Sequence, residues 1–69
     1  MKTLTNKQIA FFNELKEFMK EYKYTPTIRE LGEYVGYSSP ATTKLYLDIL
    51  ERKGYIKRIN NRSIEIIGE

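Results

Sequence analysis

The short connection between two predicted helices is the feature that most restricts the fold of this sequence. Thr27-Ile28-Arg29-Glu30 forms a capping box, which predicts a helix over residues 28–35. Gly36 is expected to end that helix in the left-handed conformation. Ser39-Pro40 then favours the start of another helix, with serine as the N-cap and proline in the first position. Only the residues from Gly36 to Ser39 remain between the two helices, a length typical of a helix-turn-helix.

A longer helix is predicted before this pair, over about residues 5–22. Thr5 and Gln8 form a second capping box at its start. Thr25-Pro26 cannot continue the helix, because a residue before proline disfavours the helical conformation. The apolar positions that follow the helical period are Ile9, Phe12, Leu15, Phe18, Met19 and Tyr22, with Phe11 in addition.

The helix that begins at Pro40 is expected to extend to about residue 53, where Gly54 ends it. Thr43, Leu47 and Leu50 fall on one face, at the spacing of a buried helical stripe. The pattern therefore predicts that this face packs on the core and that the opposite face is exposed.

The sequence after Gly54 changes to β-branched residues in rough alternation. Segments 55–59 and 63–67 are separated by a turn at Asn60-Asn61, and asparagine tolerates the conformations that tight turns need. A β-hairpin over about residues 55–67 follows from this pattern. The predicted fold of residues 1–69 is mainly α with a small β-hairpin. It is a single winged helix-turn-helix domain of three helices plus a two-stranded antiparallel wing.

Composition argues against an enzyme and against a membrane protein. The 69 residues include no His and no Cys, and the sequence contains neither a Gly-rich phosphate loop nor a cluster of metal-ligand residues. We therefore expect no catalytic site, cofactor, metal or small-molecule ligand. No apolar run approaches the roughly 18 residues of a membrane span. The absence of cysteine is consistent with a reducing cytoplasm, of a bacterial, phage or mobile-element type.

Positive charge is concentrated in one segment of the chain. The formal net charge is +3 and the pI is about 9.2. Residues 52–62 contain five basic residues and no acid, namely Arg52, Lys53, Lys57, Arg58 and Arg62. Such a cluster suggests a polyanion as partner, although a solvated basic surface would have the same composition. Arg52 and Lys53 also complement the dipole at the end of a helix, a role that needs no DNA.

The second helix of a helix-turn-helix enters the major groove of DNA, with its N-terminal residues at the base edges. The face of this helix opposite the buried stripe carries Ala41, Thr42, Lys44, Leu45 and Asp48. Side chains that are short, that donate or accept hydrogen bonds, or that touch a thymine methyl group suit this position. Leu45 has two interpretations on spacing alone: contact with a thymine methyl, or side packing with Ile49.

The wing supplies a second predicted contact region. Its tip, with Asn60, Asn61 and Arg62, can lie along a neighbouring groove or along the phosphates. Lys57 and Arg58 point to opposite faces of a strand, so no more than one of them is expected to face the same partner.

With these residues in view, the chain resembles the N-terminal DNA-binding domain of the LexA repressor family. The resemblance covers roughly residues 4–67. The residues that carry it are Leu4-Thr5, Gln8, Pro26-Thr27, Glu30, Gly36 with an aromatic residue at 37, Ser39-Pro40, Leu47, Leu50, Arg52-Lys53-Gly54 and Ile56.

The resemblance implies a winged-helix transcriptional repressor that binds a palindromic operator in double-stranded DNA as a homodimer. The base-reading positions it implies are Ser39, Ala41, Thr42, Lys44 and Leu45. The implied contacts with the DNA backbone are Lys7, Arg52 and Lys53, with Arg58, Asn61 and Arg62 added by the wing. Family members often carry polar or acidic residues at 41, 44 and 45, so the operator of this chain need not be the usual one.

Two interpretations of function remain open from the sequence. The first and preferred one is sequence-specific duplex DNA binding for transcriptional control. The second is a winged helix that acts as a protein-interaction or replication-adaptor module, suggested by the apolar Leu45 and Ile49 on a helix that faces solvent. The family's C-terminal half is not in the sequence, so the chain is expected to be either an excised domain or a free-standing small regulator.

Overall fold

The computed structural model describes residues 3–60 and 63–68, and these residues form three helices and one hairpin. The predicted winged helix-turn-helix architecture, mainly α with a two-stranded antiparallel wing, is confirmed. No helix in this part of the chain is long and apolar enough to cross a membrane. The elements in chain order are α1 (Asn6–Tyr22), α2 (Ile28–Val35), α3 (Pro40–Arg52), β1 (Ile56–Asn60) and β2 (Ser63–Ile66).

The first two helices begin at the capping boxes that the sequence predicts. The amide of Gln8 donates to Thr5 Oγ1 over 3.2 Å, and the Thr5 amide donates to Gln8 Oε1 over 2.9 Å. Thr27 and Glu30 form the same reciprocal pair at 3.0 and 2.9 Å. Each box satisfies two amide donors that would otherwise lack a partner at a helix start.

The helix ends show where the backbone must reverse. α2 ends at Gly36, whose φ of +83° is the left-handed conformation expected of it. α1 ends in the same way at Lys23, with φ of +65°, although lysine has a Cβ that glycine lacks.

The core lies where the three helices meet the hairpin. Its buried residues are Leu4, Phe11, Phe12, Leu15, Leu31, Leu47, Leu50 and Ile56. Phe11, which the helical period leaves outside the main stripe, is only 1% exposed, because Tyr37 and Tyr46 cover it. Ile9 and Tyr22 fit the period but are 42% and 48% exposed. The buried face of α1 therefore includes Phe11 and excludes Ile9 and Tyr22, unlike the stripe that the helical period predicts.

The hairpin joins the helices through both of its strands. Ile56 pairs with Ile66, and the register shifts between Arg58 and Asn60. Ile56 is buried in the core, while the Ile64 amide donates to Thr25 Oγ1 in the α1–α2 connection over 3.2 Å. These contacts pack the wing against the helices instead of leaving it as an isolated hairpin.

Candidate nucleic-acid interface

α3 has one buried face and one exposed face. Thr43, Leu47 and Leu50 are at most 3% exposed, which confirms the predicted buried stripe. The residues expected to read bases lie on the other side, where Ala41, Thr42, Lys44 and Leu45 are all exposed. Leu45 is 51% exposed, an unusual position for a large apolar side chain.

Ser39 is the N-cap of α3 by position, but its hydroxyl does not cap the helix. Only its carbonyl oxygen takes part, accepting from the Thr42 and Thr43 amides over 3.2 and 3.3 Å. The expectation that Ser39 is a good N-cap is therefore wrong for its side chain, while Pro40 in the first turn is confirmed. Because the helix start does not use the hydroxyl, Ser39 can direct it toward a partner at the edge of the exposed face.

The packing of α2 on α3 sets the direction in which α3 presents its exposed face. Gly32 is buried where the helices meet, and a Cβ atom added there would lie 2.9 Å from Thr43 Oγ1. Both the Gly36 and Tyr37 amides donate to the Gly32 carbonyl, closing the turn. The absence of a side chain at Gly32 is thus what lets the two helices approach so closely.

Aromatic rings hold the turn against the first helix. Tyr37 stacks on Phe11 with ring centroids 5.9 Å apart, and Tyr46 of α3 meets both rings at 5.5 and 5.2 Å. Such pairs add stability beyond the area that they bury. They connect α1, the turn and α3 into one support for the exposed face.

Arg58 of the wing is bonded to two carboxylates of α3. Its Nε and Nη2 donate to Glu51 Oε1 over 2.9 and 2.7 Å, and Nη2 also donates to Asp48 Oδ1. The Arg58 amide donates to Glu51 Oε2 over 3.2 Å. Hydrogen bonds from Arg58 hold the pKa values of both Asp48 and Glu51 below their ordinary range. The geometry gives the Arg58 guanidinium two partners within the protein, whereas the sequence predicts a phosphate contact for it.

Arg58, Asp48 and Glu51 form a charged network, and Lys44 extends this network to the exposed face of α3. Its Nζ lies 3.7 Å from Asp48 Oδ2, one helical turn along α3. Asp48 therefore stands between a predicted base-reading residue and the wing. The spacing of Lys44 and Asp48, four residues apart on a helix, is a signal in the sequence for this pair. No spacing in the sequence indicates the contact between Asp48 and Arg58, because the two residues lie on different elements.

The remaining basic residues differ in how firmly they are held. Lys53 Nζ donates to the Thr3 carbonyl and to Gln8 Oε1, both over 3.0 Å, so it joins the end of α3 to the start of α1. Arg52 and Lys7 are exposed. The predicted wing contacts Asn61 and Arg62 lie outside the described residues.

Within residues 3–60 and 63–68, no group of three His, Cys, Asp or Glu side chains could hold a metal ion.

Comparison with known proteins agrees with this geometry. The family model of the LexA DNA binding domain matches residues 1–64. The LexA repressor of Thermobifida fusca (strain YX) is 45% identical over 60 residues, which cover 87% of this chain and 24% of that protein. The LexA repressor of Staphylococcus aureus (strain USA300) is 39% identical over 71 aligned positions, which cover 100% of this chain and 34% of that protein.

The chain thus spans about a quarter to a third of the length of these relatives. The match includes the three helices and β1, and so the whole exposed face of α3. The three helices with a wing, the short turn closed at Gly36 and the family match together show that the chain belongs to the LexA DNA-binding domain family.

Proposed function

We propose that this protein represses transcription by binding duplex DNA in a sequence-specific manner, with α3 in the major groove. The observation that carries the proposal is the exposed face of α3, where the short side chains of Ala41 and Thr42 lie beside Lys44 and Leu45, opposite the buried stripe. Membership of the LexA DNA-binding domain family supports it independently. The short side chains at the start of such a helix let its backbone come close to base edges, and Lys44 and Leu45 can reach the edges one turn further along.

Each residue on this face offers a different contact. Ser39 and Thr42 can donate or accept hydrogen bonds, and Lys44 can donate to the acceptors of guanine. Ala41 permits close approach of the helix backbone, while Leu45 suits the methyl group of thymine. The face therefore combines polar and apolar readout within two turns of one helix.

The residues proposed to hold the phosphate backbone are revised by the contacts described above. Arg52 and Lys7 are exposed and keep this role, and Lys53 keeps it because its two acceptors are a carbonyl and an amide oxygen, not a carboxylate. Asn61 and Arg62 stay as wing contacts. Arg58 is removed from the set, since its guanidinium is already shared between Asp48 and Glu51.

The operator is proposed to be a palindrome bound by two copies of the protein. A domain of this size reads one half-site, and pairing two domains raises the effective concentration at the second half-site. Relatives named as repressors come from bacteria, so we place this function in the bacterial cytoplasm, where the DNA lies.

A binding titration across salt concentrations tests the proposal. With mixed-sequence duplex DNA, log K should fall linearly with log salt, by about 0.9 for each phosphate contact. Selection from random duplexes should then recover one preferred sequence together with a fixed half-site spacing. Absence of duplex binding even at low salt would refute the proposed function.

One observation favours a second candidate, a protein-interaction module. The 51% exposure of Leu45 leaves an apolar side chain on the surface, as in a docking site for another protein. Leu45→Ala distinguishes the two functions. A DNA-reading Leu45 predicts weaker binding only to duplexes with thymine at the contacted position, whereas a docking Leu45 predicts unchanged binding to every duplex.

A further inference from the structure

Three charged side chains form a chain of contacts from the wing to the exposed face of α3. Asp48 uses its two carboxylate oxygens separately: Oδ1 accepts from Arg58 Nη2, and Oδ2 lies 3.7 Å from Lys44 Nζ. The Lys44 side chain is 62% exposed, whereas those of Asp48 and Arg58 are 33% and 28% exposed. The wing therefore fixes Asp48, and Asp48 in turn holds the ammonium of Lys44.

This arrangement changes what Lys44 offers to DNA. An unpaired lysine at the start of α3 would attract the phosphates of any sequence. Here a carboxylate one turn away already balances its charge, and the same carboxylate repels phosphates that approach it. An exposed ion pair of this kind shifts an equilibrium only about two- to five-fold, so a well-placed base edge can displace it.

We propose that Asp48 is a specificity-determining residue of the DNA-binding face. Its ion pair with Lys44 disfavours sequence-independent phosphate contacts by Lys44, and a matching base edge can replace Asp48 as the partner of Lys44. Arg58 is a positioning residue in this arrangement, since it acts on Lys44 only through Asp48. The inference rests on the proposed function, and it deepens that function by assigning a source of discrimination to a residue that reads no base itself.

Asp48→Asn tests the inference against a matched control, Glu51→Gln. Both substitutions remove one negative charge from α3 and one carboxylate partner of Arg58, but only Asp48 pairs with Lys44. We expect Asp48→Asn to tighten binding to a random-sequence duplex about two- to five-fold more than Glu51→Gln does. Its salt slope should steepen by up to about 0.9. The ratio of affinities for the selected duplex and the random duplex should fall.

A double-mutant cycle with Lys44→Met shows whether the effect passes through Lys44. In the Lys44→Met background, Asp48→Asn should lose most of its effect on the random duplex. An undiminished effect would overturn the inference, because the carboxylate would then act by its own repulsion alone.

A second pair of variants avoids any loss of fold caused by changing Asp48. Lys44 and Arg52 are both exposed cations on α3, and no carboxylate within the described residues forms a salt bridge with Arg52. Lys44→Met should leave the salt slope for the random duplex nearly unchanged, while Arg52→Met should reduce it by about 0.9. Circular dichroism confirms that each variant is folded before titration.

The outcomes separate the inference from the proposed function. If the unaltered chain binds duplex DNA but Asp48→Asn and Glu51→Gln behave alike, the role of Asp48 is refuted and the proposed function stands. Equal reductions in slope from Lys44→Met and Arg52→Met refute it in the same way. If the unaltered chain binds no duplex at all, the proposed function fails and the inference with it.

Discussion

Thr43 Oγ1 faces Gly32 so closely that a methyl group on Gly32 would lie 2.9 Å from it. The hydroxyl is buried and has no hydrogen-bond partner among the residues that the structure describes. It therefore acts as a space-filling group where α2 meets α3, at the junction that directs the exposed face of α3.

Gly32→Ala is expected to destabilise the protein despite the better helix propensity of alanine. Alanine would contribute up to about 1 kcal/mol to α2, but overpacking against Thr43 costs about 1–3 kcal/mol. We expect a net loss of up to about 2 kcal/mol in the free energy of unfolding, measured by urea denaturation. Adding Thr43→Ala makes room for the methyl group, so the double variant should lose less than the sum of the two single losses. Strictly additive losses would show that the contact does not limit the packing.

Arg58→Met is expected to lower the free energy of unfolding at neutral pH. It should also make that free energy depend less on pH in the acid range. At neutral pH the variant leaves Asp48 and Glu51 without their shared cation, which we expect to cost about 1 kcal/mol for side chains one-third exposed. The ordinary pKa values of these two groups are 3.8 and 4.5, and Arg58 lowers both in the folded protein.

The sign of the pH effect follows from that lowering. A carboxyl group with a lowered folded pKa stabilises the protein above its ordinary pKa, and this contribution is lost as the pH falls through the folded value. Urea unfolding between about pH 5 and about pH 2 should therefore show a steeper loss of stability for the unaltered chain than for Arg58→Met. Lys57→Met, on the exposed side of β1, serves as a control and should keep the steep loss. Parallel curves for Arg58→Met and the unaltered chain would contradict this role of Arg58.

Arg52 and Lys53 are adjacent and carry the same charge, yet their substitution should have different consequences for stability. Lys53→Ala removes the two hydrogen bonds that join α3 to the start of α1, at a cost of about 0.5–1.5 kcal/mol for each bond. Arg52→Ala alters an exposed residue and should change stability by less than about 0.5 kcal/mol.

Both substitutions remove a charge that we propose faces phosphates. Each should reduce the salt slope for mixed duplex DNA by about 1. Arg52→Lys retains the charge and should retain the slope. If Arg52→Lys lowers the slope as much as Arg52→Ala does, the geometry of the guanidinium matters more than its charge.

The parts of the fold that depend on local signals could be predicted from the sequence. The capping boxes at Thr5 and Thr27 set the helix starts, and Gly36 set the end of α2, because each uses groups within a few residues. The burial of Phe11 could not be predicted in this way. It depends on the rings of Tyr37 and Tyr46, which the chain brings to α1 from the turn and from α3.

The candidate site also combines features that local sequence signals predict with features that depend on distant contacts. The exposed face of α3 follows from the helical period, so the positions of Thr42 and Lys44 were predictable. The partner of Arg58 was not, since the guanidinium reaches Asp48 only after the chain has reversed between α3 and β1. Whether the Ser39 hydroxyl caps α3 depends on a single side-chain rotation, which the residue type alone does not determine.

The most direct measurement compares Thr42→Ala with the unaltered chain on two duplexes, the sequence recovered by selection and a scrambled version of it. Thr42 is exposed on α3 and belongs to neither the buried stripe nor the charged network. If α3 reads bases in the major groove, the substitution should weaken binding to the selected duplex by about 1–3 kcal/mol and leave binding to the scrambled duplex and the salt slope unchanged. Equal weakening on both duplexes, or no change on either, would contradict base reading by this face of α3.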